Sequence, residues 1–241
     1  MTDAAAAPAP TPAKPSVMDC AEIYYAPTGV FERRRQGKFG IPLLVYVIAM
    51  AIAFFATKDL MRPFFDMQAG RQMEQLQKQH PEMTQEQLER GRAMGAKFAG
   101  VGVIVGSALV PLVAGLLIWL VAKFAGAGLG LAQGMVVGVF MMFPAIVEYL
   151  INAIQMTFVD SSTLTSNYDI SIGPSRFMHD ASAVVRALVG HIDLFTIWMA
   201  FLIYLGVKVI GHTSKQTAAT VAVIMWIIGV LPALLGAMKA G

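Results

Sequence analysis

Long stretches of this chain carry no charged residue at all, among them Phe39 to Thr57, Phe98 to Ala122 and Thr217 to Met238. About 20 consecutive apolar residues cross the hydrocarbon layer of a bilayer as a helix, so each stretch is long enough to span it. Composition agrees, with 56% hydrophobic and only 14% charged residues, where a soluble domain runs nearer ~25% charged. The formal net charge of +3 is small. It is not organised as a long basic tract with interleaved aromatics, which argues against a nucleic-acid partner. The single cysteine, Cys20, excludes an internal disulfide.

Residues 1–22 are rich in Ala and Pro, with neither the apolar core nor the basic start of a signal peptide. Low hydrophobicity and high Pro content predict a disordered tail, leaving 23–241 as the membrane domain. Tyr24 to Lys38 reads as a short amphipathic helix: Pro27 suits a first helical position and Val30 and Phe31 are apolar. Arg33, Arg34, Arg35 and Lys38 are basic, and Gly37 can end it. Such a helix is expected at headgroup level.

The apolar pattern predicts five spans, at about 39–57, 98–122, 131–157, 194–210 and 217–238. The fold class is therefore all-α, a polytopic membrane bundle of five transmembrane helices with short interfacial amphipathic helices. Between the first two spans lie polar residues whose pattern suggests two helices broken at His80-Pro81. Thr84 with Gln87 three residues on forms a capping box for the second. Gly102 with Gly106, and Gly134 with Gly138, are G-x-x-x-G pairs where small residues let backbones approach closely. They imply packing of spans 2 and 3, or a homodimer seam. Asp180 can cap an amphipathic helix carrying Val184, Val185, Leu188, Val189 and Ile192, and Lys208 should snorkel from the end of span 4. Pro42, Pro111, Pro144 and Pro232 should kink the spans that hold them.

No catalytic or metal-binding signature is present. His179-Asp180 and His191-x-Asp193 can be read as metal or acid–base pairs, or as interfacial polar caps. The ionisable group deepest in a span is Glu148, with Asn152 and Gln155 at i+4 and i+7 on the same helix face. Intramembrane carboxylates are rare and mark functional sites by default. The alternative is a carboxyl that glues helices together, and matched depths suggest the Ser107 hydroxyl as its partner.

Asp193-Leu194-Phe195-Thr196-Ile197-Trp198, then Gly206-Val207-Lys208, resemble the C-terminal part of the Yip1 domain family. Ile23 to Arg33, with Pro27 and Phe31, resembles that family's opening helix, and Pro144 sits where the family often has a proline. The resemblance runs roughly from Ile23 to Met238. It implies a five-helix membrane domain, with Pro27, Phe31, Asp193, Phe195, Trp198, Gly206 and Lys208 as its motif residues. Eukaryotic relatives are linked to small GTPases and vesicle traffic through a longer cytoplasmic N-terminal region. The Ala/Pro segment here differs, so that partner is not implied.

The expected function is accordingly that of a non-enzymatic scaffold or adaptor, without cofactor, organising membrane partners or lipids. The alternative is a small transporter or channel using the Glu148 face. The bilayer is the expected partner, with other membrane proteins or a second copy as further ones. Arg33, Arg34, Arg35 and Lys38 before span 1, against Lys58 and Arg62 after it, put the N-terminus in the cytoplasm. The resemblance to bacterial members suggests an inner membrane, and an endomembrane otherwise.

Overall fold

A computed structural model describes residues 14–160, 164, 166–178 and 180–240. All regular structure among them is helical. In chain order the α-helices are α1 (Asp19–Glu22), α2 (Pro27–Arg33), α3 (Gly40–Thr57), α4 (Arg62–Gln79) and α5 (Gln85–Phe124). After them come α6 (Leu131–Phe140), α7 (Phe143–Gln155), α8 (Ala183–Gly190), α9 (Leu194–Ile210) and α10 (Lys215–Ala240), with two 3₁₀ turns, Asn167–Ile170 and Pro174–Phe177, before α8.

Four helical segments are long and apolar enough to cross a membrane: α3, α5, α6 with α7, and α10. The pair α8 and α9, bent by 51° at their junction, makes up to 5. Counted so, the candidate spans number five. Residues 14–40, the α5–α6 turn and the α9–α10 turn share one end of the bundle, here the amino end. The opposite end carries α4, the 3₁₀ turns and α8.

At 1.5 Å per residue, the 40 residues of α5 reach about 60 Å, twice the ~30 Å hydrocarbon layer. Its first turns therefore stand clear of the bilayer beside α4. The bend between them falls at His80-Pro81, and Thr84 restarts the helix as read from the sequence. Its hydroxyl accepts from the Gln87 N–H at 3.3 Å while Gln87 accepts from the Thr84 N–H at 2.9 Å.

Between spans, lipid is as apolar as leucine, so close backbone approach rather than water expulsion drives packing. The tightest contact joins α5 to α6. A Cβ on Gly138 would lie 2.5 Å from the Pro111 carbonyl oxygen, and one on Gly134 2.7 Å from the Trp119 Cβ. Their counterpart on α5 is Gly115, whose own Cβ would meet the Met135 Cα at 2.7 Å. Gly102 and Gly106 have nothing within 4 Å. The packing of spans 2 and 3 thus uses Gly134 and Gly138 but not the second glycine pair. Span 3 is interrupted at Met141-Met142, just before Pro144, whose missing N–H deprives the Phe140 carbonyl of its helical donor.

The opening helix does not simply lie on the surface. Val30 and Phe31 of α2 are fully buried, because α2 packs against α9 where Gly206 leaves room. A Cβ at Gly206 would come within 2.7 Å of Val137 and 3.2 Å of the Phe31 ring. Taking a Phe ring from interfacial water is worth about 1.5–3 kcal/mol. Helix α1, in the stretch read from sequence as tail, is held by the same end of the bundle, with Asp19 and Cys20 buried.

Candidate intramembrane polar site

Aromatic side chains fasten the broken third span to its neighbours. Phe31 meets Phe140 edge-on at 6.1 Å, and Phe140 stacks on Phe143 at 5.5 Å. Tyr24 meets Phe143 and Trp198 edge-on at 6.4 and 5.7 Å, and its hydroxyl donates to the Phe143 carbonyl at 2.8 Å. Trp198 then stacks on the buried Phe195 at 6.4 Å. Burial of Tyr24 pushes its hydroxyl pKa up to about 12, so it remains a donor. The motif residues at the two ends of the sequence therefore converge on the break in span 3.

Beyond that break α7 diverges from α5 and packs on α3 and α9, and this sets the surroundings of Glu148. The half-buried Glu148 lies within electrostatic reach of Asp193 at the start of α9 and of Tyr46 on α3. Two turns on, the Gln155 amide donates to the Asn152 side-chain oxygen at 3.3 Å and to the Ile170 carbonyl at 3.1 Å. Arg176 in turn donates to the Gln155 oxygen at 2.6 Å. Glu148, Asn152 and Gln155 form one polar strip facing α9 and the 3₁₀ turns.

Ser107 does not join it. Its hydroxyl donates to the Ile104 carbonyl of its own helix at 3.0 Å, and α3 stands between α5 and α7. Matched depth along two helices could not reveal that a third lies between them. What sequence reasoning missed is Asp193 as the neighbour of Glu148, and Arg176 as the cation at the end of the strip. Only the i+3 spacing of Asp193 and Thr196 hinted at the first, through the cap it forms.

Asp193 caps α9, accepting from the N–H groups of Phe195 and Thr196 at 2.7 and 2.8 Å, while Thr196 accepts from the Asp193 N–H at 3.2 Å. The cap of α8 is Ser182, which accepts from the Val185 N–H at 3.4 Å, not Asp180. Most of the apolar face of α8 points outward: Val184, Val185, Leu188 and Ile192 are exposed, while Ala187 is buried. Its Gly190 lies against the Tyr168 ring with no room for a Cβ.

The other candidates resolve individually. Pro27 opens α2, and the Lys208 ammonium sits 5.7 Å over the Tyr204 ring. His191 donates through Nε2 to the Trp226 carbonyl at 2.9 Å, an arrangement of a structural histidine. His179 lies outside the described residues. A second polar knot links the first 3₁₀ turn to α8, where Arg186 donates to Asp169 at 2.9 Å and to Ser166 at 2.5 Å. Two buried polar atoms, Arg186 Nε and Ser175 Oγ of the second 3₁₀ turn, have no hydrogen-bond partner among the described residues.

No curated protein and no solved structure matches this chain. The Yip1 domain matches it over residues 21–236, nearly its whole length, and that span takes in the opening helix, the broken third span and the capped start of α9. The chain belongs to the Yip1 domain family.

Proposed function

We propose that the protein is a non-enzymatic scaffold that organises lipids or partner proteins in the bilayer. The carrying observation is the interior of the bundle. Phe31, Phe140, Phe143 and Phe195 are fully buried at the point where α2, the third span and α9 meet. A cleft of about 1130 Å³ is lined by residues of the amino end and does not include Glu148. A water-filled route to that carboxyl would favour transport, whereas a packed interior with an open groove favours an adaptor. Crosslinking and pull-down from the native membrane in mild detergent tests the reading. Reproducible partners that survive Glu148→Gln support it, and an ion or proton flux abolished by Glu148→Gln in reconstituted vesicles overturns it.

The second reading, a small transporter or channel, draws support from the nearness of Glu148 and Asp193. A carboxyl within a span that senses a second carboxyl is the kind of group that marks proton or ion paths. In either reading the N-terminus is cytoplasmic in an inner membrane. Arg33 and Arg34 are paired with acids, but acidic residues weigh little in orientation, so the basic cluster still counts in full. Reporters fused at the two chain ends should then read opposite sides. The open Gly102 and Gly106 face is where a second copy of the chain would pack.

A further inference from the structure

The amino end of the bundle holds a cleft whose walls are fixed by hydrogen bonds and whose charge is not neutralised. Arg34, 3% exposed, donates to Asp19 at 2.6 Å, to the Ser16 carbonyl at 2.6 Å and to the Lys38 carbonyl at 2.9 Å. These three bonds tie the chain entering α1 to the turn that leaves α2. The far side of that turn is tied as well, because Gln133 of α6 donates to the Arg35 carbonyl at 2.8 Å. Gly37 makes the turn at φ +78, and a Cβ there would sit 2.7 Å from that of Ala132. The cleft is therefore a built feature and not a gap between loose segments.

Its electrostatics divide into two sets. Arg33 and Arg34 are taken up by Asp19 and Glu22. Lys14, Arg35 and Lys38 line the cleft, are exposed, and make no ion pair among the described residues. Against these three cations the lining contains one acid, Glu32. Beside them the wall also holds the apolar side chains of Val17, Phe39 and Ile41. Val17 and Ile41 each expose 57% of their surface beside the cations. Lys38 is followed at once by the charge-free run into α3, so the cations stand at headgroup depth and Ile41 at the edge of the hydrocarbon.

We propose that this cleft binds the phosphate of an anionic membrane lipid through Lys14, Arg35 and Lys38, with its acyl chains against Val17 and Ile41. Cations at headgroup height with an exposed apolar sill just below them match the amphipathic geometry of a phospholipid. A soluble anion would need only the upper part. Each Lys or Arg near an anionic surface adds a factor of about five in affinity.

The test is thermal denaturation of the full chain, stripped of lipid in a non-ionic detergent and titrated with dioleoyl phosphatidylglycerol, dioleoyl phosphatidylcholine or inorganic phosphate. Phosphatidylglycerol should raise the midpoint saturably, and phosphatidylcholine should not. The triple variant Lys14→Gln, Arg35→Gln, Lys38→Gln should need at least tenfold more phosphatidylglycerol, and Arg35→Gln alone about fivefold more. The triple variant Lys14→Arg, Arg35→Lys, Lys38→Arg, which keeps the charges, should respond like the unaltered protein. An unchanged response in the first triple variant overturns the site. Equal protection by phosphatidylcholine overturns the role of the lipid's charge. A saturable shift with inorganic phosphate that the Gln variants abolish overturns the lipid and assigns the cleft to a free phosphoryl group.

Discussion

Both ends of this bundle carry buried polar groups, but they handle charge in opposite ways. At the amino end Asp19, wholly buried, is met by Arg33 at 2.7 Å and Arg34 at 2.6 Å, and it also accepts from the Ser16 N–H at 3.0 Å. Every partner brings the opposite charge or a donor. At the other end Glu148 neighbours another carboxyl, Asp193, while Ser175 Oγ and Arg186 Nε stay unpartnered among the described residues. Buried polar groups that are fully satisfied specify a unique arrangement, whereas unsatisfied ones mark tolerated strain or an unfilled task. The amino end reads as a lock and the opposite end as the place where stability is given up.

The sharpest way to break that comparison is Asp19→Ala. It would leave Arg34 buried without its counter-charge, which costs about 3–5 kcal/mol. Loss of the cleft wall and a large drop in the detergent denaturation midpoint are expected. Cosubstitution with Arg34→Met should recover much of the loss, since an apolar replacement leaves no orphaned charge. A midpoint unmoved by Asp19→Ala would mean the ion pair is not formed in the membrane.

Much of this contrast lay beyond the reach of the sequence, for identifiable reasons. Spans and caps are local: charge-free runs, the Thr84 box and the Asp193 start each depend on residues a few positions apart. The amino-end cluster Arg33, Arg34, Arg35, Lys38 read as uniformly basic because its neutralising partner, Asp19, lies 15 residues from Arg34, in a stretch whose composition suggested tail. The aromatic junction joins Tyr24 to Phe143 across 119 residues, and no period reports such a contact. Glu148 was legible as an oddity in a span. Its neighbours were not, since the break at Met141-Met142 turns α7 toward α3 and α9 and away from Ser107.

A smaller effect is expected from Asp193→Ala, which removes the α9 cap. A lost cap of this kind costs roughly 0.5–2 kcal/mol. Here the loss should fall at the low end, because the substitution also removes the carboxyl beside Glu148. Comparing Asp193→Ala with Asp193→Asn separates the two contributions: Asn keeps the cap and drops the charge. If Asn is as damaging as Ala, the carboxylate itself carries the stability.

Glu148→Gln should shift stability the other way. It keeps the shape of the side chain and removes an ionisable carboxyl that lies within electrostatic reach of Asp193. A modest rise in the denaturation midpoint is therefore expected. A clear fall would show that the Glu148 carboxyl is bonded in the bundle. A stable variant that nonetheless reproduces the deletion phenotype would move the function to this strip.

At the amino end, pH supplies a gentler probe through Cys20. Burial pushes its thiol above the ordinary value of 9.0, with Arg34 pulling it down and Asp19 pushing it up. The folded state thus favours the neutral thiol, and its contribution is fully present below the unfolded value. Above about pH 9 the unfolded chain ionises first, so stability should fall as pH rises toward the folded value. Cys20→Ala should flatten that part of the profile, and maleimide should label native Cys20 slowly. Fast labelling at neutral pH would mean that the lock opens readily.

The least effect of all is expected from Ser175→Ala. The Ser175 hydroxyl is fully buried beside the Arg176 that holds Gln155, yet its oxygen has no partner among the described residues. Removing a bonded hydroxyl strands its partner and costs about 1 kcal/mol, whereas removing one that makes no bond relieves a desolvated group and is nearly neutral. The expected change in midpoint is therefore close to zero in purified protein. The same substitution assayed in the native membrane asks a different question. If the loop covering Ser175 opens in the native membrane and a bound lipid or partner protein then supplies the missing hydrogen bond, Ser175→Ala will weaken that association while leaving the isolated protein as stable as before. Equal behaviour in both settings would make the orphaned hydroxyl a residue of packing alone, and would narrow the contrast between the two ends to Glu148 and Asp193.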